Sequence, residues 1–542
     1  MSVYSTLSKE QLIAEIKRLK KGKKFGLLWE DKPEDVAELC KTKLPVLVDV
    51  EDKEISDDPN KPTNILIEGD NYHALSVLNY THKDKVDVIY IDPPYNTGNN
   101  DFIYNDAFVD KEDDYRHSKW VSFMEKRLRL ARHLLKKDAV IFISIDDNEQ
   151  SQLKLLCDEI FNEKNFVATI IWQRAYSPKN QSKRISVDHE YIMVYARNIE
   201  LLDFKLLPRT EKMDARYKNP DKDPRGNWKP GDLVASEERK NGHYIITGPH
   251  GNKFDAPPGK HWSFGKETMM EFLKDNRLHF GKDGKAFPSL KQFLSEVQQG
   301  RKASTLFFHD QAGHNDEAMK ELKDFFKQSD DLFSTPKPTR LIKQLLRLLN
   351  NDDAIVLDFM AGSGTTAQAV FGLNKEDGGN RQFILCTNNE NNICSDVCHP
   401  RIKKVITGYK DSSGKKVEGF GGNLKYFRTD FVDADPTDKN KKKLTEMATE
   451  MLCLKEGTFE KISNKKAFKI YKNTNHCTGI IFDQMAIPDF KEAIAKLKGK
   501  FSVYVFSLGD DSFEDEFKDI KQKVKLSPIP EVILRVYRRI FK

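Results

Sequence analysis

The stretch Ile355-Val-Leu-Asp-Phe-Met-Ala-Gly-Ser-Gly-Thr-Thr366 decides the fold. An apolar run ends on Asp358, a glycine-rich turn follows, and from Thr365 onward the sequence takes on a helical period. Strand, tight turn and helix in that order are the local signature of an α/β layer. Gly362 and Gly364 permit positive φ and let another group come close to the backbone, while the helix that follows would present open amides at its start. The plainer reading is a glycine turn used for geometry alone. No third glycine completes a Gly-x-Gly-x-x-Gly spacing and no Gly-Lys-Ser/Thr follows, so the dinucleotide and P-loop readings both weaken.

The same alternation extends in both directions. Residues 382–386 read as the next strand, with Glu390 beyond its end, and residues 340–349 read as a helix before the first one. Earlier in the chain, residues 64–68, 86–91, 139–145, 166–172 and 191–196 are strand-like, and helical patterns lie at 74–78, 119–136 and 151–161. Between them, from about 200 to 330, the texture changes to Pro, Gly and aromatic residues with weak periodicity, as in DKDPRGNWKPGD. The expected architecture is one sheet built from two chain segments around an inserted domain. The expected divisions are an N-terminal helical segment (1–60), a first catalytic half (61–200), the insert (201–330), a second half (331–432) and a small C-terminal α/β domain (440–542).

Composition narrows the class. The chain has 542 residues, 89 Lys+Arg against 83 Asp+Glu and a net charge of +6, which excludes a peptide, a disulfide scaffold and a fibrous repeat. No run approaches the roughly 18 apolar residues of a membrane span, and MSVYSTLSKEQ lacks a signal pattern, so a cytoplasmic protein away from membranes is expected. The 7 cysteines fit buried thiols better than a disulfide framework. Cys394, Cys398 and His399 lack the Cys-x2-Cys spacing and an obvious fourth partner, and no metal is expected. Residues 8–24 read as an amphipathic helix with a basic tail, a solvated helix end rather than a nucleic-acid contact.

A second motif is Val88-Ile-Tyr-Ile-Asp-Pro-Pro-Tyr-Asn-Thr-Gly98. A buried strand would deliver Asp92 to the sheet edge, and Pro93 and Pro94 forbid helix and strand beyond it. A carboxylate, a rigid carbonyl and an aromatic face in one place suit a flat aromatic amine. Asp92 and the Pro93 carbonyl each accept one N–H, and Tyr95 stacks on the ring. Taken alone, the same four residues could make a plain strand-ending turn.

Together these motifs resemble the amino-group DNA methyltransferases of the β-class motif order, and among them the modification (Mod) subunits of type III restriction-modification systems. The likeness covers nearly the whole chain. It includes Asn64-Ile-Leu-Ile-Glu-Gly-Asp-Asn71, Ile91-Asp-Pro-Pro-Tyr-Asn-Thr-Gly98, Phe142-Ile-Ser-Ile-Asp-Asp-Asn-Glu149, Phe333-Ser-Thr-Pro-Lys-Pro338, Asp358-Phe-Met-Ala-Gly-Ser-Gly-Thr-Thr366 and Cys386-Thr-Asn-Asn-Glu390. Met360-Ala361 departs from the family's usual Gly or Phe before Gly362.

The resemblance implies an S-adenosylmethionine-dependent, Rossmann-like α/β fold with an inserted target-recognition domain. It implies a site-specific DNA adenine-N6 methyltransferase acting on a flipped-out base in double-stranded DNA. Asp92, Pro93, Pro94 and Tyr95 would form the catalytic set. S-adenosyl-L-methionine would sit on Asp358, Phe359, Gly362, Gly364 and Thr365, with Glu390 on its ribose, Thr335 and Lys337 on its carboxylate and Asp70 toward its adenine. A homodimer and a helicase-nuclease restriction subunit are the implied partners. Other readings are a cytosine-N4 or RNA amino-methyltransferase, a non-catalytic specificity subunit, and a nicotinamide oxidoreductase, which Asp92 to Tyr95 would not serve. In the insert, Arg209, Arg225, Trp228, Lys229, Lys260, His261, Trp262, Arg301 and Lys302 mix charge and rings as a DNA-reading surface does. With charge so nearly balanced, phosphate affinity has to come from local patches and to be sensitive to salt.

Overall fold

The structure is a computed structural model that describes residues 8–9, 11–13, 29–58, 61–178, 184–236, 242–297, 300–326, 333, 335–509, 511 and 513–541. Most of the basic helix expected over 8–24 lies outside them. The chain divides into a larger unit, Met1–Phe204 with Ser304–Lys542, and a smaller one, Lys205–Ala303.

The larger unit is built on an 11-stranded sheet. Its strands in chain order are β1 (Lys43–Asp49), β2 (Thr63–Glu68), β3 (Val86–Ile91), β4 (Leu135–Ile145), β5 (Phe166–Gln173), β6 (His189–Ala196), β7 (Leu306–Phe307), β8 (Ile355–Asp358), β9 (Gln382–Thr387) and β10 (Asn423–Asp433), with the short strand Ile55–Ser56 beside β10. The order across the sheet is β1-β10-β2-β9-β8-β3-β4-β6-β5-β7. From β10 to β4 all neighbours are parallel, while β1 and β6 run against their partners. The sheet is therefore assembled from both chain halves, and the join between β3 and β8 lies at its centre.

Helices cover the sheet as parallel crossovers require. Of these, α1 (Asn71–Thr81) follows β2, α2 (Arg116–Leu134) links β3 to β4, α3 (Gln150–Cys157) follows β4, and α4 (Thr339–Leu346) packs on α5 (Thr365–Asp377), which links β8 to β9. Because α5 leads to one side of β8 and α2 to the other side of β3, the sheet has its topological switch point there. Ligand crevices of open α/β sheets form outside the strand ends at such a point.

Three boundaries differ from the sequence reading. The first 60 residues are not simply a helical segment, because Lys43–Asp49 is a strand with its middle buried against β10. Pro45 disguises it in the sequence, yet β1 is the sheet's edge, where a missing N–H is tolerated. At the end of the insert the chain rejoins the larger unit by residue 304, since Leu306–Phe307 adds to β5 and Trp172 Nε1 donates to the Gly313 carbonyl at 2.9 Å.

The C-terminal stretch has its own five-stranded sheet, β11 (Glu460–Asn464), β12 (Phe468–Lys472), β13 (His476–Ile481), β14 (Lys500–Phe506) and β15 (Val524–Ile529), yet it is not set apart. Alternate side chains go to two cores. Ile481, Val503 and Val505 pack under the helix Ile487–Ala495, whereas Ile480, Tyr504 and Ile529 join the main core with α1.

The smaller unit has short strands, none among the described residues longer than Ser289–Phe293, around a core of Leu233, Ile246, Trp262, Met269, Leu278 and Phe280. Several residues expected on a reading surface are interior here. Trp228, His261 and Trp262 are buried, and Arg225 is paired with Asp223 and Asp275. Among the described residues no helix is long and apolar enough to cross a membrane.

Candidate functional site at the switch point

The strands β2, β9, β8 and β3 lie side by side, with one expected acid at or just beyond the end of each: Asp70, Glu390, Asp358 and Asp92. The parallel register, with Val356 opposite Val88 and Leu385 opposite Leu66, brings their carboxyl ends to one edge.

At the end of β3, the two prolines stop the ladder, and the loop is pinned from below. Trp120 Nε1 of α2 donates to the Pro94 carbonyl at 2.7 Å. Asn96, at φ 57°, donates to Glu149 Oε1 at 2.5 Å and to the Arg116 carbonyl at 3.2 Å. Glu149 is fully buried, burial pushes its carboxyl up to about 8, and His117 Nδ1 lies 2.7 Å from the same oxygen. The loop thus presents Asp92 and Tyr95 from a fixed base.

Asp92 keeps 24% of its side chain open. Its two oxygens accept from Lys337 Nζ at 2.8 and 2.7 Å. The same ammonium lies 3.5 Å from Glu190 Oε2 and 4.9 Å from the centre of the Tyr95 ring. Tyr95 donates its hydroxyl to Glu190 Oε2 at 2.9 Å. Burial raises the Asp92 pKa, against the pull of the Lys337 charge. For Lys337 burial acts the other way, but Asp92 and Glu190 together hold its pKa above the usual lysine value. Burial, then the two carboxylates, raise the Tyr95 phenol well above its ordinary range.

The glycine turn lies one strand away. Asp358, 3% exposed, accepts from the Met360 amide at 3.0 Å and the Thr366 hydroxyl at 2.5 Å, and burial pushes it up to about 7. Gly362 and Gly364 have φ of 48° and 78°. A Cβ on Gly364 would stand 3.0 Å from Cys398 Sγ, and one on Gly362 would stand 3.0 Å from the Phe333 ring. The turn therefore favours glycine at both positions, by its left-handed backbone and by the closeness of Cys398 and Phe333. Arg401, on the helix α6 (His399–Thr407), braces it. Its Nη1 donates to Ser363 Oγ at 3.0 Å and to Thr365 Oγ1 at 2.9 Å, and its Nε and Nη2 donate to Gln368.

The other expected residues are placed unevenly. Asp70 caps α1 by accepting from the Tyr72 amide at 2.7 Å, and the buried Arg127 reaches it at 3.4 Å while fastened to Glu34. Phe359 is wholly inside the main core. Thr335 is exposed, whereas Lys337 is turned to Asp92. Glu390 is exposed and accepts from Asn388. Cys394 and Cys398 are buried, and among the described residues no group of His, Cys, Asp or Glu is arranged to hold a metal ion.

Sequence reasoning missed Glu190, Arg401, Arg127, Glu149 and Trp120. Arg127 had a signal: it falls on the stripe of α2 that also holds Trp120, Met124, Leu128 and Ala131, where a charge is out of place. Glu190 had a fainter one, a charge directly before the apolar run 191–196.

Comparison with known proteins fits this geometry. Residues 86–397 match the DNA methylase family. The type III restriction-modification enzyme StyLTI Mod subunit of Salmonella typhimurium is 39% identical over 367 residues, covering 63% of this chain and 55% of that protein. The type III restriction-modification enzyme EcoP15I Mod subunit of Escherichia coli is 34% identical over 381 residues, covering 59% and 58%. The type II methyltransferase M.KpnI of Klebsiella pneumoniae is 31% identical over 387 residues, covering 65% and 89%. The matches span little more than half the length of the two Mod subunits.

Proposed function

Since the chain belongs to the DNA methylase family, we propose that it methylates the exocyclic N6 amine of adenine in double-stranded DNA, as the modification component of a restriction-modification system. The observation that carries the reading is the juxtaposition, at one switch point, of an open carboxylate beside an aromatic ring and a glycine cradle one strand away.

The residues of the cradle fit S-adenosyl-L-methionine. Gly362 and Gly364 hold the turn in left-handed backbone packed against Phe333 and Cys398, α5 begins there without a side-chain cap, and Asp70 and Glu390 stand beyond the ends of β2 and β9 for polar groups of a nucleoside. When bound, this cofactor supplies a methyl group activated on a positively charged sulfur. Asp358 is not free for a ligand, since it is occupied with Met360 and Thr366; its part is to hold the turn.

At the acceptor end, Asp92 accepts one N–H of the adenine amine and the Pro93 carbonyl accepts the other, which draws the nitrogen toward tetrahedral geometry and frees its lone pair. Tyr95 supplies a ring for the base to stack on, offsetting the few kcal/mol, roughly, that unstacking the base costs. Asp92 then takes the proton that the amine gives up, a role suited to a carboxylate whose pKa burial has raised. The smaller unit, Lys205–Ala303, is the candidate for reading the target sequence. A homodimer, a restriction subunit as partner and a cytoplasmic location complete the proposal.

The test is chemical. The purified chain, S-adenosyl-L-methionine and unmethylated bacterial genomic DNA are incubated together, and the nucleosides of the digested DNA are quantified by mass spectrometry. N6-methyldeoxyadenosine is the expected product. N4-methyldeoxycytidine in its place, or no methylated nucleoside at all, overturns the reading.

A further inference from the structure

Glu190 is a second carboxylate beside Asp92 and belongs to none of the motifs described above. It is 4% exposed and sits near the start of β6, which runs antiparallel to β4, so its end of the strand lies at the edge where β3 and β4 finish. Its two oxygens are used differently. Oε1 accepts from Arg174 Nη1 at 3.3 Å, while Oε2 accepts the Tyr95 hydroxyl at 2.9 Å and lies 3.5 Å from the Lys337 ammonium. A buried carboxylate this near another is costly unless a cation is shared between them, and Lys337 is that cation.

Sharing has a chemical consequence. The ammonium bridges both Asp92 oxygens with short hydrogen bonds, and with no other anion beside it that pairing would be the whole of its attraction. Glu190 adds a second negative charge 3.5 Å from the same ammonium, which loosens its hold on Asp92, and each Asp92 oxygen still has a lone pair for an incoming N–H. Through the Tyr95 hydroxyl the same oxygen fixes the angle of the ring on which a base would stack.

We propose that Glu190 is a positioning residue of the methyl-acceptor site, setting the Tyr95 ring and the Lys337 ammonium about Asp92. The inference rests on the function proposed above, which makes Asp92 and Tyr95 the acceptor site. It assigns Lys337 to the acceptor side of the crevice rather than to the carboxylate of the methyl donor.

Glu190→Gln separates this role from a purely structural one, because the amide still accepts the Tyr95 hydroxyl but carries no charge for Lys337. Two measurements are made on the full chain. The first is tritium transfer from labelled S-adenosyl-L-methionine to unmethylated genomic DNA, with cofactor Kd measured by calorimetry. Glu190→Gln is expected to lower kcat at least tenfold and to leave the cofactor Kd within threefold. The second needs no activity: trace acetylation with acetic anhydride, read by peptide mass spectrometry, is expected to rise at least threefold at Lys337 in the variant. A wild-type kcat, a cofactor Kd that weakens in step with kcat, or unchanged Lys337 labelling overturns the proposal. If Glu190→Gln does not fold, Tyr95→Phe takes its place, keeping the ring but cutting its tie to Glu190. A fall in kcat of at least fivefold at constant cofactor Kd supports the proposal, and a wild-type kcat overturns it. If wild type transfers no methyl group, the function proposed above fails, and Lys337 labelling alone decides for or against Glu190.

Discussion

Asp92 and Asp358 stand at the ends of adjacent strands, paired through Val88 and Val356, and burial raises the pKa of both, yet they differ in exposure and in where their partners come from. Asp358 is 3% exposed, and its partners, Met360 and Thr366, lie 2 and 8 residues further along the same turn. Asp92 is 24% exposed, and its cation comes from 245 residues away. A carboxylate satisfied by its own loop makes local geometry. One left partly open and balanced by a distant lysine is maintained by the whole fold, at a desolvation cost of the kind found at functional sites.

The contrast is breakable in four ways. Asp92→Asn should cut methyl transfer by about 10²–10⁴-fold, the usual range for losing a positioned acid or base, with the melting temperature and cofactor Kd nearly unchanged. Equal loss from Asp358→Asn in a fully folded chain would erase the distinction.

Next in size is a pH effect on stability. The folded chain raises Asp358 from the ordinary carboxylate range to about 7, so between roughly pH 4 and 7 it holds a proton that the unfolded chain has released. The contribution of this group is complete below that window, falls by about 1 kcal/mol per pH unit across it and is gone above it. Urea denaturation at pH 5 and 7 should show a smaller difference in Asp358→Asn than in wild type; an unchanged difference counts against the assignment.

Gly364→Ala should cost about 1–2 kcal/mol for a left-handed residue, with a Cβ 3.0 Å from Cys398 Sγ. Roughly tenfold weaker cofactor binding is expected, with kcat at saturating cofactor preserved. Thr366→Val, which removes one hydroxyl from Asp358, should lower stability by about 1 kcal/mol and leave the transfer rate alone.

The same contrast explains what could be read from the sequence. The turn at Asp358 and the loop at Asp92 are written in consecutive residues, so an apolar run followed by Gly-Ser-Gly or Pro-Pro-Tyr suffices. Lys337 was visible as a charge, but whether it faces Asp92 or a ligand depends on how β3, β6 and the segment before α4 meet. Glu190 was out of reach for the same reason, since nothing local ties it to Tyr95. The edge strand β1 was hidden by Pro45, and the C-terminal sheet looked independent because its second apolar face is spaced like any half-buried strand.

The two-part construction of the sheet also bears on how the chain is made. The strand β2 is apolar, yet both its neighbours, β9 and β10, belong to the far half of the chain; Asn64, for instance, bonds to Phe383, 319 residues later. At ribosomal speeds of about 5–20 residues per second, that interval is roughly 15–60 s. For that time the nascent chain offers an unpaired, water-averse strand edge to its surroundings, so the yield of soluble protein should depend on how quickly translation delivers β9.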